Sequence, residues 1–574
     1  MAKVASALLR EAFIEPIRFA LLLDDKFPTY PALAGNQFDG ALDNARAKAL
    51  FDLCRGRGWL CDIENRGAVA EEFEVNKHLH QSDLLILDFN LDPLDQDDPT
   101  AALRIIQRLA ASDHFNLVIV YTNADPILVV RDIAFALGGG SDLSQVDEAA
   151  ALEIWEELDD GVDAIEQALN WATIDDYLRD LNPRVNAADL RAQLGTAGVM
   201  NGDQAKVVTR MARERMRRRV KPEVLAARRS DRSIDSSLGR LEAPHWVTQD
   251  NVFVAIVNKR EEEATLLDRL MEALEAWDPS PLRVMMMHAR AAMEKAGSLA
   301  DKTVLDAPRL QAGRLLRILL GKTELERRDI VGELYGRLFE RLAHKVEPSI
   351  VDFGVRLITS EQGEDPVARA KTLAGAVHNL GADQVYHALN EHISSDVCPD
   401  GPMMTGVIFK GLRGDREQYW LCTSPACDLV PGQNLRGWDR DLTPLRPVSV
   451  TRLKPVRAAA AISKALEQAT IGRHIFLLVD DRALAFEVAE ENSRQMELET
   501  VLLENDGRIV DGAFRGHVVD LGEGGRPVFA VVDFRVLAKL RPDYANRLLT
   551  QSGQQRSRIG VDFYNLPKPP ANQA

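Results

Sequence analysis

Residues 82–93 read SDLLILDFNLDP. Four apolar residues, Leu84 to Leu87, run directly into Asp88. So short a run, without polar alternation, fits a strand covered on both faces of a parallel sheet. A carboxylate at the mouth of such a strand is costly unless something pairs with it. The neighbouring sequence repeats the form. RFALLLDD (18–25) is an apolar run closed by Asp24 and Asp25, WLCDI (59–63) is a shorter one, and NLVIVYT (116–122) ends in Thr122. Helical spacing separates them over 38–57, where Phe38, Leu42, Ala45, Leu50 and Leu53 recur, and over 68–80 and 98–111. The β-α-β-α-β-α-β order predicts an α/β fold: a doubly wound parallel sheet with helices on both faces.

Ligands of such sheets gather beyond the carboxyl ends of the strands. In the doubly wound order, Asp24, Asp25, Asp88 and Thr122 would meet at one edge. Three clustered carboxylates repel one another, and a divalent cation would relieve them. Oxygen-only ligands favour Mg²⁺, which keeps several waters and leaves room for a phosphoryl group. Asp88 would then be a nucleophile that takes phosphate as an acyl phosphate, and Thr122 would hydrogen-bond a phosphoryl oxygen.

LLLDD, DLLILDFNLDP and VIVYTNAD together resemble the receiver domain of two-component response regulators. The resemblance implies that Asp24 and Asp25 are the metal-binding acidic pair, Asp88 the phosphoacceptor and Thr122 the hydroxyl that follows strand four. It makes Asn90 the residue whose backbone carbonyl completes the metal shell. The family also carries a Lys after strand five, and nothing between 125 and 160 fits. FVAIVNK (253–259), followed by a helix over 261–277, resembles the last strand and closing helix, with Lys259 as that Lys. Residues 126–249 would then be a large helical insertion. Alternatively, Lys259 is a surface residue after an unrelated strand.

The sequence also departs from the family. Ile256 stands where receivers carry an aromatic, the loop after Asp25 is long and holds Pro28 and Pro31, and Asp92 replaces a usual Pro. Two readings stay open: a phosphorylatable receiver, or a degenerate one serving as a non-enzymatic assembly subunit. The arrangement is similar to response-receiver proteins of bacterial conflict and defence systems. That implies a histidine-kinase-like ATPase as protein partner, relay of the phosphate signal to the downstream domains, and a role in anti-phage defence. The expectation is a regulatory phosphoacceptor and not an enzyme.

At 574 residues the chain is too long for one core. The expected division is a receiver-like domain over 15–125 plus 250–278, the insertion over 126–249, a helical domain over 280–393, a β-rich domain over 395–566, and a disordered tail over 567–574. A formal charge of -17 argues against a chain built to coat nucleic acid or an anionic membrane. Five cysteines, an odd and sparse set, suit a reducing compartment. There is no signal-peptide-like apolar region and no run of the roughly 18 apolar residues that a membrane span requires. The expected location is cytoplasmic.

Three weaker signals remain. Cys427 and Asp428 are candidates for catalysis in the β-rich domain. Cys398, Cys422, Cys427 and His392 could hold zinc, although their spacing is loose, and buried structural thiols are the alternative. Residues 206–232 carry eleven Lys and Arg. They could meet nucleic-acid phosphates, dock an acidic partner or form a solvated helix face. The absence of interleaved aromatics gives no support to base stacking.

Overall fold

The computed structural model describes residues 4–35, 42–65, 82–91, 97–138, 220, 221, 224, 234–237, 242–297, 308–358, 365–374, 380–431, 437–489, 495–521 and 525–556. Contacts divide the chain into two units: Met1–Asp301 with Arg341–Gln362, and Lys302–Glu340 with Gly363–Ala574.

The first unit is built on seven strands: β1 (Phe19–Leu23), β2 (Leu60–Glu64), β3 (Leu84–Leu87), β4 (Asn116–Thr122), β5 (Asp235–Ser236), β6 (His245–Gln249) and β7 (Val252–Asn258). Their spatial order is β2-β1-β3-β4-β7-β6-β5. The first five in that order are parallel, and β6 and β5 add antiparallel strands beyond β7. This is the doubly wound arrangement, with its fifth parallel position filled by β7.

Helices cover both faces, as the two-sided apolar strands require. Helix α1 (Asn44–Gly56) starts where the Asp43 side chain accepts from the Arg46 N–H. Helix α2 (Thr100–Ala110) buries Leu103, Ile106 and Leu109. Helix α3 (Pro126–Leu137) begins with Pro at its first position and Asp125 as its cap. Helix α4 (Leu266–Trp277) follows β7 and buries Leu266, Leu267, Leu270 and Leu274.

One core layer joins α2 and α3 to Leu21, Leu85, Val118 and Val254. The other joins α1, α4 and the N-terminal helical segment (Leu9, Phe13) to Leu22, Ile86, Ile119 and Phe253. Val284, Phe353 and Leu357 pack into that second layer too, so residues beyond α4 complete it. Burying each such side chain contributes about 1.5–3 kcal/mol.

Within the span expected to be one insertion, α3, β5 and β6 belong to the sheet and its covering layers. Residues 139–219 of that span lie outside the described residues, as do the expected helix over 68–80 and the tail over 567–574.

The second unit contains helices Pro308–Leu319, Pro366–Leu373 and Ala382–Ser394, and residues 324–340 of the helix Glu324–Ile358. Its strands are β8 (Ser395–Asp396), β9 (Val407–Arg413), β10 (Arg416–Cys422), β11 (Arg446–Val456), β12 (His474–Val479), β13 (Arg482–Glu487), β14 (Glu497–Leu503), β15 (Ala513–Leu521) and β16 (Pro527–Leu540). The order β10-β9-β16-β15-β14-β11 returns through β11–β10 pairing, which closes a six-stranded antiparallel barrel. Closure removes the sheet edges. Phe409, Trp420, Phe514 and Phe534 fill part of its interior. Asp480 and Asp481, both at positive φ, form the turn of the β12–β13 hairpin.

Candidate functional site

Strand register brings the acids together. In the parallel β1–β3 pair, Leu23 lies opposite Leu87, so the next residues, Asp24 and Asp88, leave adjacent strands side by side. The Asp88 N–H donates to the Leu23 carbonyl at 2.9 Å. Asp25 follows directly, and one carboxylate oxygen from each of Asp24, Asp25 and Asp88 lies within 4.8 Å of the others. In the β4–β7 pair Thr122 lies opposite Asn258, which places Lys259 at the same edge. The Lys259 N–H donates to the Thr122 carbonyl at 2.8 Å.

Lys259 is buried and its ammonium bridges two carboxylates, 2.7 Å from Asp24 Oδ2 and 2.9 Å from Asp88 Oδ2. This is the pairing that the Asp88 strand end requires. Other donors satisfy the remaining oxygens: the Lys26 N–H donates to Asp24 Oδ1 at 2.9 Å, and the Phe89 N–H to Asp88 Oδ1 at 2.8 Å. Asp25 differs, because its buried Oδ1 has no hydrogen-bond partner. Thr122 is buried, and its Oγ1 accepts from the Ala124 N–H at 3.2 Å. Asn90 is half-buried two residues beyond Asp88.

Burial, reinforced by the Asp24 carboxylate, pushes Asp88 up to about 6 against the pull of Lys259. Burial, then Asp24, also raises Asp25. Burial alone would lower the Lys259 ammonium, but Asp24 and Asp88 more than reverse this and hold it above its ordinary value. Three carboxylates against one ammonium leave an excess of two negative charges when all are ionised. A divalent cation matches that excess, and the orphaned Asp25 oxygen is a ready ligand. Hard oxygen donors suit Mg²⁺.

A network absent from the sequence reading supports Lys259. Arg46 of α1 donates to Glu263 Oε1 at 3.0 Å and to the Lys259 carbonyl at 3.4 Å. The Tyr121 hydroxyl donates to the Glu261 carbonyl at 2.9 Å. These contacts fix the turn after β7. Arg46 and Lys259 stand 213 residues apart, and no local pattern connects them. Ile256 is buried in the α2–α3 core layer, opposite His245 of β6.

Residues 16–162 match the family model described as the response receiver domain. The first unit carries a response receiver domain. Such a domain points to phosphoacceptor and regulatory signalling in general. The match ends before β7, so strand pairing, and not the matched stretch, delivers Lys259. No curated protein and no solved structure matches the chain significantly.

The weaker candidates stand apart. Among the described residues, the Asp24–Asp25–Asp88 group is the one cluster that could hold a metal. Cys398, Cys422, Cys427 and His392 do not form one. Cys422 is buried in the barrel, where burial pushes its thiol up to about 12. Cys427 is exposed, and its Sγ donates to Asp428 Oδ1 at 3.4 Å. Of the basic stretch, Lys221 pairs with Asp98 at 2.7 Å and Val220 is buried; Val224, between its basic residues, is buried too. The basic residues other than Lys221 lie outside the described residues. No helix among the described residues is long and apolar enough to cross a membrane.

Proposed function

We propose that Asp88 accepts a phosphoryl group from a phosphohistidine of a histidine-kinase-like ATPase, and that the acyl phosphate is read by Thr122 and Lys259. The observation that carries this reading is the Lys259 ammonium set between Asp24 and Asp88, beside the unpartnered Asp25 oxygen. An Asp88 Oδ attacks phosphorus, the P–N bond breaks as the P–O bond forms, and the departing imidazole nitrogen takes a proton. Asp24, Asp25, Asp88 and the Asn90 carbonyl would hold Mg²⁺, which when bound offsets the charge on the carboxylate and phosphoryl oxygens. Lys259 then turns from the Asp88 carboxylate to the new phosphoryl oxygens. The Thr122 hydroxyl leaves the Ala124 N–H to donate to them. Relay to the second unit, and service in anti-phage defence, rest on the resemblance to conflict-system receivers.

Incubation with Mg²⁺ and a small phosphodonor tests the reading by intact mass. The wild type is expected to gain one phosphoryl group and Asp88→Asn none. No gain by the wild type, or an equal gain by the variant, refutes it.

Ile256 at the usual aromatic position favours a second reading, a pseudo-receiver that docks its partner without phosphate. Partner binding that survives alanine at Asp24, Asp25 and Asp88 supports that alternative.

A further inference from the structure

Residues 308–340 pose a packing problem of their own. The helix Pro308–Leu319 turns through Gly321–Thr323 into residues 324–340. Thr323 and Glu326 cap the second helix reciprocally: Thr323 Oγ1 accepts from the Glu326 N–H, and Glu326 Oε2 accepts from the Lys322 and Thr323 N–H groups. Arg317 pairs with Glu333. The start is therefore well specified, yet several large apolar residues are left in solvent. Leu315, Leu316, Leu319 and Leu320 are 58, 56, 73 and 69% exposed, and Tyr335 and Phe339 are 56 and 66% exposed. Gly332 and Gly336 lie on the same helical face as Phe339, and a Cβ at either would meet nothing within 4 Å.

A twelve-residue helix is marginal in water without an apolar face buried on something. The charges indicate what. Pro308–Leu319 carries Arg309, Arg314 and Arg317 and no acid, while 324–340 carries Glu324, Glu326, Asp329, Glu333 and Glu340 against three arginines. Arg317 pairs with Glu333 and Asp329 with Arg508 inside one copy, and beyond those pairs Arg309 on the first helix and Glu324 and Glu340 on the second are still of opposite sign. The first helix of one copy therefore complements the second helix of another, and two-fold symmetry makes both contacts at once. The six exposed side chains supply roughly 700 Å² per copy, or roughly 1,400 Å² in all, within the range of stable interfaces.

We propose that Pro308–Leu319 and residues 324–340 form the contact between two copies of this chain, as a four-helix arrangement. Sedimentation equilibrium of the full chain across a wide concentration range tests it. The wild type is expected at twice the monomer mass, and the double variant Leu319→Glu, Phe339→Glu at the monomer mass with an unchanged far-UV spectrum. A wild type that stays monomeric at about 100 μM, or a variant that stays dimeric, overturns the proposal. Hydrogen exchange of the wild type gives a reading independent of the variant's folding. Amides of 308–340 should slow as concentration rises. Protection that is independent of concentration would assign the face to another segment of the same chain and overturn the proposal as well.

Discussion

Replacing Asp88 with Asn should stabilise the receiver sheet at neutral pH. The carboxyl group rises from the ordinary 3.8 to about 6 in the folded chain, so between those values the folded state holds a proton that the unfolded state has released. Stability therefore falls as pH rises through this window, and the cost is fully present above it. At 1.36 kcal/mol per unit, the ionised carboxylate costs about 3 kcal/mol at pH 7. Asn keeps the side-chain volume, its oxygen still accepts the Phe89 N–H, and Lys259 retains Asp24 at 2.7 Å. The variant should gain up to about 3 kcal/mol at pH 7 and almost nothing near pH 4. With two units there is no single unfolding transition. The assay is hydrogen exchange of peptides covering β1 and β3 in graded urea at both pH values. Mg²⁺ should bring the wild type towards the variant by relieving the same charge. Destabilisation at pH 7 would show that the Lys259 pairing outweighs burial, and an equal gain at pH 4 would show that the gain does not come from removing the Asp88 charge; either result refutes the reasoning.

Lys259→Met leaves Asp24 and Asp88 buried with no counter-charge; a loss of about 3–5 kcal/mol is expected at pH 8, shrinking as pH falls towards 6, because Asp88 without the ammonium that lowers it protonates above about 6, as read from the same exchange experiment. Asp25→Asn should weaken Mg²⁺ binding about tenfold or more, measured by titration calorimetry, without lowering stability, because its buried Oδ1 has no hydrogen-bond partner to lose and burial disfavours its charge. In the barrel, a Cβ at Gly411 would stand 2.6 Å from Val532 Cγ1 and 3.0 Å from Phe534 Cδ1, so Gly411→Ala should cost about 1–3 kcal/mol in a thermal melt of the second unit.

Much of the receiver was legible because strands and helices leave local marks. The runs ending in Asp24, Asp88 and Thr122 are β1, β3 and β4, and the spacing of Leu266, Leu267, Leu270 and Leu274 marks α4. Other features left no such mark. The N-terminal segment packs Leu9 and Phe13 under the sheet, although the domain was expected to begin at 15. The Arg46–Glu263–Tyr121 network joins elements whose separation no periodicity encodes.

The sequence by itself determined that the runs ending at Asp24, Asp88 and Thr122 become covered strands, which residues stand at their carboxyl ends, and that the last third of the chain is rich in short strands. Apolar periodicity and turn residues carry that information locally. Only the tertiary structure decided that β7 takes the place beside β4, and that an ammonium 235 residues from Asp24 closes the acidic cluster. It also decided that β11 returns to β10 to close the barrel. The reason is that loop-closure entropy grows only slowly with length, so neighbours in space are chosen by burial and charge pairing at the assembled edge, and not by distance along the chain.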